Sequence, residues 1–137
     1  MLSILEKVLF LKSIELFSLS RGEELAQIAL IATQEPREAG EEVFAEGESG
    51  DALYLVLEGR VRVHRQDRVI AELGERECFG EMALLDSEPR SASVTATVAS
   101  SLLKISREDF QELMAEKPEI ALGVIRVLSR RLRGAIR

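Results

Sequence analysis

The chain has 137 residues, 46% of them hydrophobic and 31% charged, with a formal net charge of −6. This length suits one compact domain with its own core and excludes two full ones, and the composition excludes a disordered chain. An acidic balance also argues against nucleic acid as the direct partner, because phosphate contacts need a basic surface.

The first third reads as helical. Ser3 with Glu6 and Ser20 with Glu23 each match the capping box, in which a hydroxyl accepts from a free backbone N–H and a carboxylate three residues on accepts in return. Leu5, Val8 and Leu9 follow the first box at helical spacing, and Leu25, Ile28, Ala29 and Ala32 follow the second. Two short helices are expected, joined by a turn around 14–19.

From Ala39 to Ile105 the period shifts to two. Arg60–Arg65 alternates polar and apolar residues, and Ala92–Val98 nearly does, as half-buried strands require. Turn signals recur at Gly40, Gly47, Gly50–Asp51, Glu58–Gly59, Gln66–Asp67 and Gly74, which predicts many short antiparallel strands in a barrel or sandwich. The tail returns to helix. Ser106 and Asp109 make an acceptable cap, Arg107–Lys117 is amphipathic, and Pro118 opens a last helix. That helix is expected to pack Ala121, Val124, Ile125, Leu128 and Leu132 on one face and to show Arg126, Arg130, Arg133 and Arg137 on another, where basic residues complement the helix dipole.

The segment Phe79–Val94, FGEMALLDSEPRSASV, interrupts the strand pattern. Glu81–Asp86 favours a single helical turn, and Gly80 before it lets backbone approach a ligand closely. The start of such a turn presents free N–H groups to an anion. Arg90, expected on the strand after Pro89, brings a planar fork of donors suited to a phosphate. Glu81 would repel that anion, so its use is to accept from a hydroxyl, as on a ribose. Acid and base together describe a sugar phosphate.

The same segment closely resembles the phosphate-binding cassette of cyclic-nucleotide-binding domains, the family found in bacterial catabolite activator proteins and in regulatory subunits of cAMP-dependent protein kinase. Residues 40–63, GEEVFAEGESGDALYLVLEGRVRV, are similar to the family's first strands, and the flanking helices fall where that fold has its own, so the resemblance covers nearly the whole chain. It implies an α+β fold, an antiparallel double-stranded β-helix (β-roll, jelly-roll) with flanking N-terminal and C-terminal helices, as a single domain over 1–137. Its parts would be N-terminal helices at 1–35, the β-roll at 39–105 with its cassette at 79–94, and hinge and lid helices at 106–137.

The resemblance also implies residue roles. Glu81 would accept from the ribose 2′-hydroxyl and Arg90 would pair the cyclic phosphate, with Ser91 helping to hold it. Gly80, Met82 and Ala83 would line the pocket with backbone. Val61, Val63, Ile70 and Leu73 are the candidates for the apolar wall under the base, and Arg131 lies where a lid-helix arginine approaches the ribose. The family's base-contacting pair falls on Ala135 and Ile136, a departure that leaves base choice open. Ser91 in place of a threonine inclines the ligand to cAMP, with cGMP the alternative. No other cofactor, no metal and no catalytic residue is implied.

Plainer roles are expected for the other reactive residues. His64 is read as a solvated strand residue and Cys78 as a small buried hydrophobe. Cys78, as the only cysteine, cannot form an internal disulfide, no segment resembles a signal peptide, and no stretch approaches the ~20 apolar residues of a membrane span. A cytoplasmic module not embedded in a membrane is therefore expected. It would signal cyclic-nucleotide occupancy through its C-terminal helices to an effector domain or partner protein, with a homodimer among the options. Three alternatives remain: an interaction or dimerisation domain of the same fold that binds no nucleotide, a fragment of a transcription regulator whose helix-turn-helix is not within this chain, and a cupin-type metalloenzyme, which one histidine cannot supply.

Overall fold

The computed structural model describes residues 1–136, without the side chain of Ile136. Arg137, the last residue of the expected basic stripe, lies outside the described residues, as does the side chain of Ile136 at the expected base-contacting pair. Two compact units are formed, one from Met1–Ile31 with the chain from Asp109 onward and the other from Ala32–Glu108.

The helical unit begins with α1 (Ile4–Lys12). Its capping box is complete: the Ser3 hydroxyl accepts from the Glu6 N–H at 3.1 Å, and the Glu6 carboxylate accepts from the Ser3 N–H at 3.0 Å. A 3-10 turn at Glu15–Phe17 leads on to α2 (Gly22–Ile31). Here the expected Ser20–Glu23 box is replaced by its carboxylate half alone, one residue along the chain: Glu24 accepts from the Arg21 N–H at 3.0 Å and from its Nε at 3.3 Å. The Ser20 hydroxyl is left buried without a partner among the described residues. α3 (Arg107–Glu116) follows directly after Ser106, which stands at its N-cap position, and α4 (Pro118–Ile136) opens on proline. Phe17 and Phe110 meet at 6.4 Å between centroids in the core of this unit, with Leu11, Leu25, Ile28 and Ile120 also fully buried.

α4 packs on a face turned from the one expected, sharing with it the buried Val124 and the half-buried Ala121 and Leu128. Ile120, Val124 and Val127 are buried, whereas Leu122, Ile125 and Leu132 are about half exposed or more. The buried residues also recur at helical spacing, and Gly123 among them brings the α4 backbone close to Ser20 and Leu19, so a side chain at 123 would press on the Ser20 hydroxyl. No helix among the described residues is long and apolar enough to cross a membrane.

The second unit is a pair of four-stranded antiparallel sheets. The strands are β1 (Ala32–Arg37), β2 (Glu42–Phe44), β3 (Ala52–Glu58), β4 (Val61–Arg65), β5 (Arg68–Leu73), β6 (Cys78–Phe79), β7 (Ser93–Ala96) and β8 (Ser100–Ser106). One sheet has the order β1-β8-β3-β6 and the other β2-β7-β4-β5. The first strand replaces the end of the expected second helix. Ala32 pairs with Ile105 and Arg37 with Ser100, so cross-strand bonding to β8 decides the conformation of a segment with no clear alternation. Its Pro36 is tolerated because β1 is an edge strand.

Between the sheets Ala52, Tyr54, Val56, Val61, Phe79, Val94, Ala96 and Leu102 form one buried cluster, with Val43, Phe44, Val63 and Leu73 packed against it. The α+β β-roll with flanking helices is thus as expected. His64 is held more firmly than a solvated residue: Nδ1 lies 2.8 Å from the Gln66 carbonyl and Nε2 2.8 Å from the Thr95 hydroxyl. A carbonyl only accepts, so Nδ1 bears a proton and donates to Gln66. Cys78 is half-buried on β6, paired with Leu55.

Candidate functional site

Within the β unit the 79–94 segment bends at Gly80, in the left-handed region at φ 77° and ψ 18°, and turns into a 3-10 helix over Glu81–Leu84. The Ala83 N–H donates to the Gly80 carbonyl at 3.0 Å and the Leu85 N–H to that of Met82 at 3.1 Å. Ala83 and Leu84 are buried, which anchors the turn, while Met82 is exposed. Asp86 ends it, its Oδ1 accepting from the Glu88 N–H at 3.2 Å.

Arg90 stands before β7 instead of on it, next to an isolated bridge between Ser49 and Pro89. The loop ahead of β3 is laced to this stretch: Arg90 N–H donates to the Glu48 carbonyl at 2.7 Å, Gly47 N–H to the Arg90 carbonyl at 2.9 Å, and Gly50 N–H to the Glu88 carbonyl at 3.3 Å. Arg107 ties the same two strips from outside. Its Nη1 donates to the Gly50 carbonyl and, at 3.0 Å, to that of Asp86, while its N–H donates to the Asp51 carbonyl at 2.8 Å. Arg65 steadies the next residue by donating from Nε to the Ser91 carbonyl at 2.9 Å.

The Arg90 side chain is 8% exposed. Nη2 donates to the Ala52 carbonyl at 2.8 Å, and Nη1 makes a long contact of 3.5 Å with that of Gly80. Its Nε is buried without a partner, and no ion pair among the described residues includes Arg90. Burial, and to a smaller degree the charge of Arg107, lowers its pKa from the usual arginine value, with Tyr54, Asp51 and Glu48 acting in the other direction. Arginine is still a cation at every ordinary pH. A buried cation without a carboxylate is costly, and an anion arriving beside it relieves that cost.

Arg90 lines a cavity of about 270 Å³, near the lower end of the ~300–1,000 Å³ usual for small-molecule sites. Of the residues singled out from the sequence, Gly80, Glu81, Met82, Ala83, Arg90, Ser91 and Val63 all line it. Glu81 and Arg90 therefore face one cavity and are not paired with each other. Val61, Ile70 and Leu73 are not in the lining. Val61 is fully buried in the core and Leu73, its partner across the β4–β5 pair, packs against that core, while Ile70 is 47% exposed. Arg131 belongs to the helical unit, where its Nε lies 2.5 Å from Glu15 Oε1 in a surface pair.

The apolar end of the cavity joins Val63, which was expected there, to residues that had been given no role from the sequence. Phe44 on β2 pairs with Val94 on β7, and Val94 pairs with Val63 on β4, so three apolar side chains lie abreast across one sheet. Phe79 joins them from β6 of the other sheet. Asp86, Glu88, Pro89 and Ala92 complete the lining. The missed aromatics sit on strands of two and three residues, too short to show a period; Phe79 opens the cassette segment and Phe44 lies far from it in sequence, so their only signal was apolar character. The site thus offers one cation, acidic groups and an apolar wall, which suits a small anion with a hydroxylated and an apolar part.

Residues 34–117 match the family model described as "Cyclic nucleotide-binding domain". The chain is 45% identical over 101 residues to the cyclic AMP receptor protein of Thermus thermophilus, a match covering 70% of this chain and 47% of that one. It is 36% identical over 107 residues to a cAMP-dependent protein kinase regulatory subunit of Yarrowia lipolytica, covering 77% and 28%. Among solved structures, the N-terminal domain of a transcriptional regulator from Streptomyces coelicolor superposes with a TM-score of 0.85 at 33% identity, covering 92% of this chain and 94% of that one. The chain thus spans about half or less of the length of these two curated relatives.

Proposed function

This chain belongs to the cyclic nucleotide-binding domain family, and we propose that it is a cAMP-binding sensor module without catalytic activity. The observation that carries the reading is Arg90, a buried guanidinium without a carboxylate partner, facing the same cavity as Glu81. In this reading Arg90 pairs the cyclic phosphate and Glu81 accepts from the ribose 2′-hydroxyl. Ser91 and the backbone of Gly80, Met82 and Ala83 complete the polar end. The base lies toward Val63, with Phe44 and Val94 beside it. Ser91, in place of a threonine, favours cAMP over cGMP.

Occupancy is passed on through the C-terminal helices, because a ligand shifts a conformational equilibrium by as much as it prefers one state. The exposed Leu122, Ile125 and Leu132 of α4 give an effector domain, a partner protein or a second copy an apolar stripe to contact. The test is calorimetry with cAMP, cGMP, 5′-AMP and 2′-deoxy cAMP. Tight binding of cAMP, with at least tenfold weaker binding of the 5′-monophosphate and the deoxy analogue, is expected from loss of a charged hydrogen bond worth about 1.5–3 kcal/mol. Equal binding of all four compounds would overturn the assigned roles.

A further inference from the structure

The residue lying against Arg90 is Phe44, whose ring centroid is 3.9 Å from the guanidinium carbon. The face of an aromatic ring is electron-rich and attracts a cation, the more so where water is excluded. Arg90 meets that condition at 8% exposure. The ring is itself fixed in place, 6.0 Å from Tyr54 and 5.8 Å from Phe79 between centroids, and Tyr54 and Phe79 stack on each other at 5.3 Å. Gly50 closes the slot further, for a Cβ there would lie 3.4 Å from the same guanidinium carbon.

A guanidinium is flat, with all its N–H bonds in one plane. Held against a ring, it can reach acceptors only along its edges. Nη2 already does so toward the Ala52 carbonyl at 2.8 Å. We propose that Phe44 is a positioning residue for the anion site: its ring keeps the Arg90 guanidinium flat and buried before any counter-ion is present, and so turns the remaining donors edge-on to an incoming cyclic phosphate. The identity of the anion rests on the proposed function, whereas the stacking itself does not.

Phe44→Leu keeps an apolar chain and removes the ring face, and Phe44→Tyr keeps the face. Calorimetry with cAMP is expected to show about 3- to 30-fold weaker binding for Phe44→Leu, the range of a partly to fully desolvated cation–π contact, and recovery of most of that loss in Phe44→Tyr. In an Arg90→Met background, Phe44→Leu should cost under about twofold, because the ring acts through the arginine. Equal losses in both backgrounds, or no recovery with tyrosine, would overturn the inference in favour of plain packing.

A ligand-free arm separates the two readings. In ¹H–¹⁵N spectra the Arg90 side-chain resonances of the wild type should be displaced by the ring and should return toward bulk positions in Phe44→Leu. Bulk positions in the wild type would overturn the inference whatever binds. Displaced resonances in a chain that takes up no cyclic nucleotide would overturn the proposed function and uphold the stacking.

Discussion

Gly80→Ala tests how tightly the site is built around its arginine. At φ +77° an L residue is strained, and a Cβ at this position would lie 2.5 Å from Arg90 Nη1 and 3.1 Å from the Ala52 carbonyl oxygen. The first contact is far inside van der Waals separation, so the guanidinium has to move. It is not free to do so without loss, since the same group donates to the Ala52 carbonyl at 2.8 Å and lies on Phe44. The left-handed conformation costs about 1–2 kcal/mol, and a buried carbonyl left without its donor about 1–3 kcal/mol. Unfolding in urea should therefore show a loss of roughly 2–5 kcal/mol. A displaced fork also forfeits a charged hydrogen bond to the ligand, so cAMP affinity measured by calorimetry should fall about 10- to 150-fold.

The control is the same substitution in an Arg90→Ala background. With the side chain gone the collision is gone, and the stability cost should shrink toward the backbone part of about 1–2 kcal/mol. If Gly80→Ala binds cAMP like the wild type, or costs as much stability without Arg90 as with it, the close approach of this glycine to the guanidinium is not what shapes the site.

Three further outcomes are expected. Arg107→Ala removes the donor shared by the Gly50 and Asp86 carbonyls, and should weaken cAMP binding about 5- to 30-fold, at roughly 1 kcal/mol for each of one or two net hydrogen bonds, with partial recovery in Arg107→Lys; unchanged calorimetric affinity would count against it. Glu6 titrates below the ordinary glutamate value because the Ser3 N–H and hydroxyl favour its charged form. Its folded pKa is depressed, so the cap's contribution is present above the unfolded value of about 4.3 and is lost as pH falls through the lower folded value. An NMR titration should find that low midpoint and a partial return toward about 4.3 in Ser3→Ala, which removes the hydroxyl and keeps the backbone N–H at position 3. On α4, Val124 is 4% and Ile125 55% exposed, so Val124→Ala should cost about 1–3 kcal/mol and Ile125→Ala under about 0.5 kcal/mol in urea unfolding of dilute protein. The reverse order would refute the packing face of α4.

Much of the fold was legible because its signals are local. Ser3 and Glu6 cap one another three residues apart, Val61–Arg65 alternates as a strand must, and Gly80, Glu81 and Arg90 lie within one short segment. Other features depend on residues distant in the chain. Ala32–Arg37 contains a proline and charged residues, and becomes a strand only through its pairing with β8. α4 carries two apolar stripes at helical spacing, one through Ile120, Val124 and Val127 and the other through Ile125 and Leu132, and packing alone selects the first. Phe44, Val63 and Val94 form one wall because three strands lie in register, though the residues are far apart in sequence. Ile70 and Leu73 have the same apolar character, and their register on β5 keeps them out of that wall.

The charge at Arg90 was plain in the sequence, but its lack of a carboxylate partner was not. Asp86 and Glu88 precede it closely in the chain. In the fold, Asp86 Oδ1 accepts from the Glu88 N–H, and neither carboxylate pairs with the arginine. The chain instead surrounds the guanidinium with the Ala52 carbonyl, the Phe44 ring and two glycines too small to crowd it. Carbonyl and ring offer only partial negative charge, enough to keep the cation buried and too little to neutralise it. An acid in their place would fill the position that the proposed anionic ligand needs, so in that reading the site depends on the nearby carboxylates being held elsewhere.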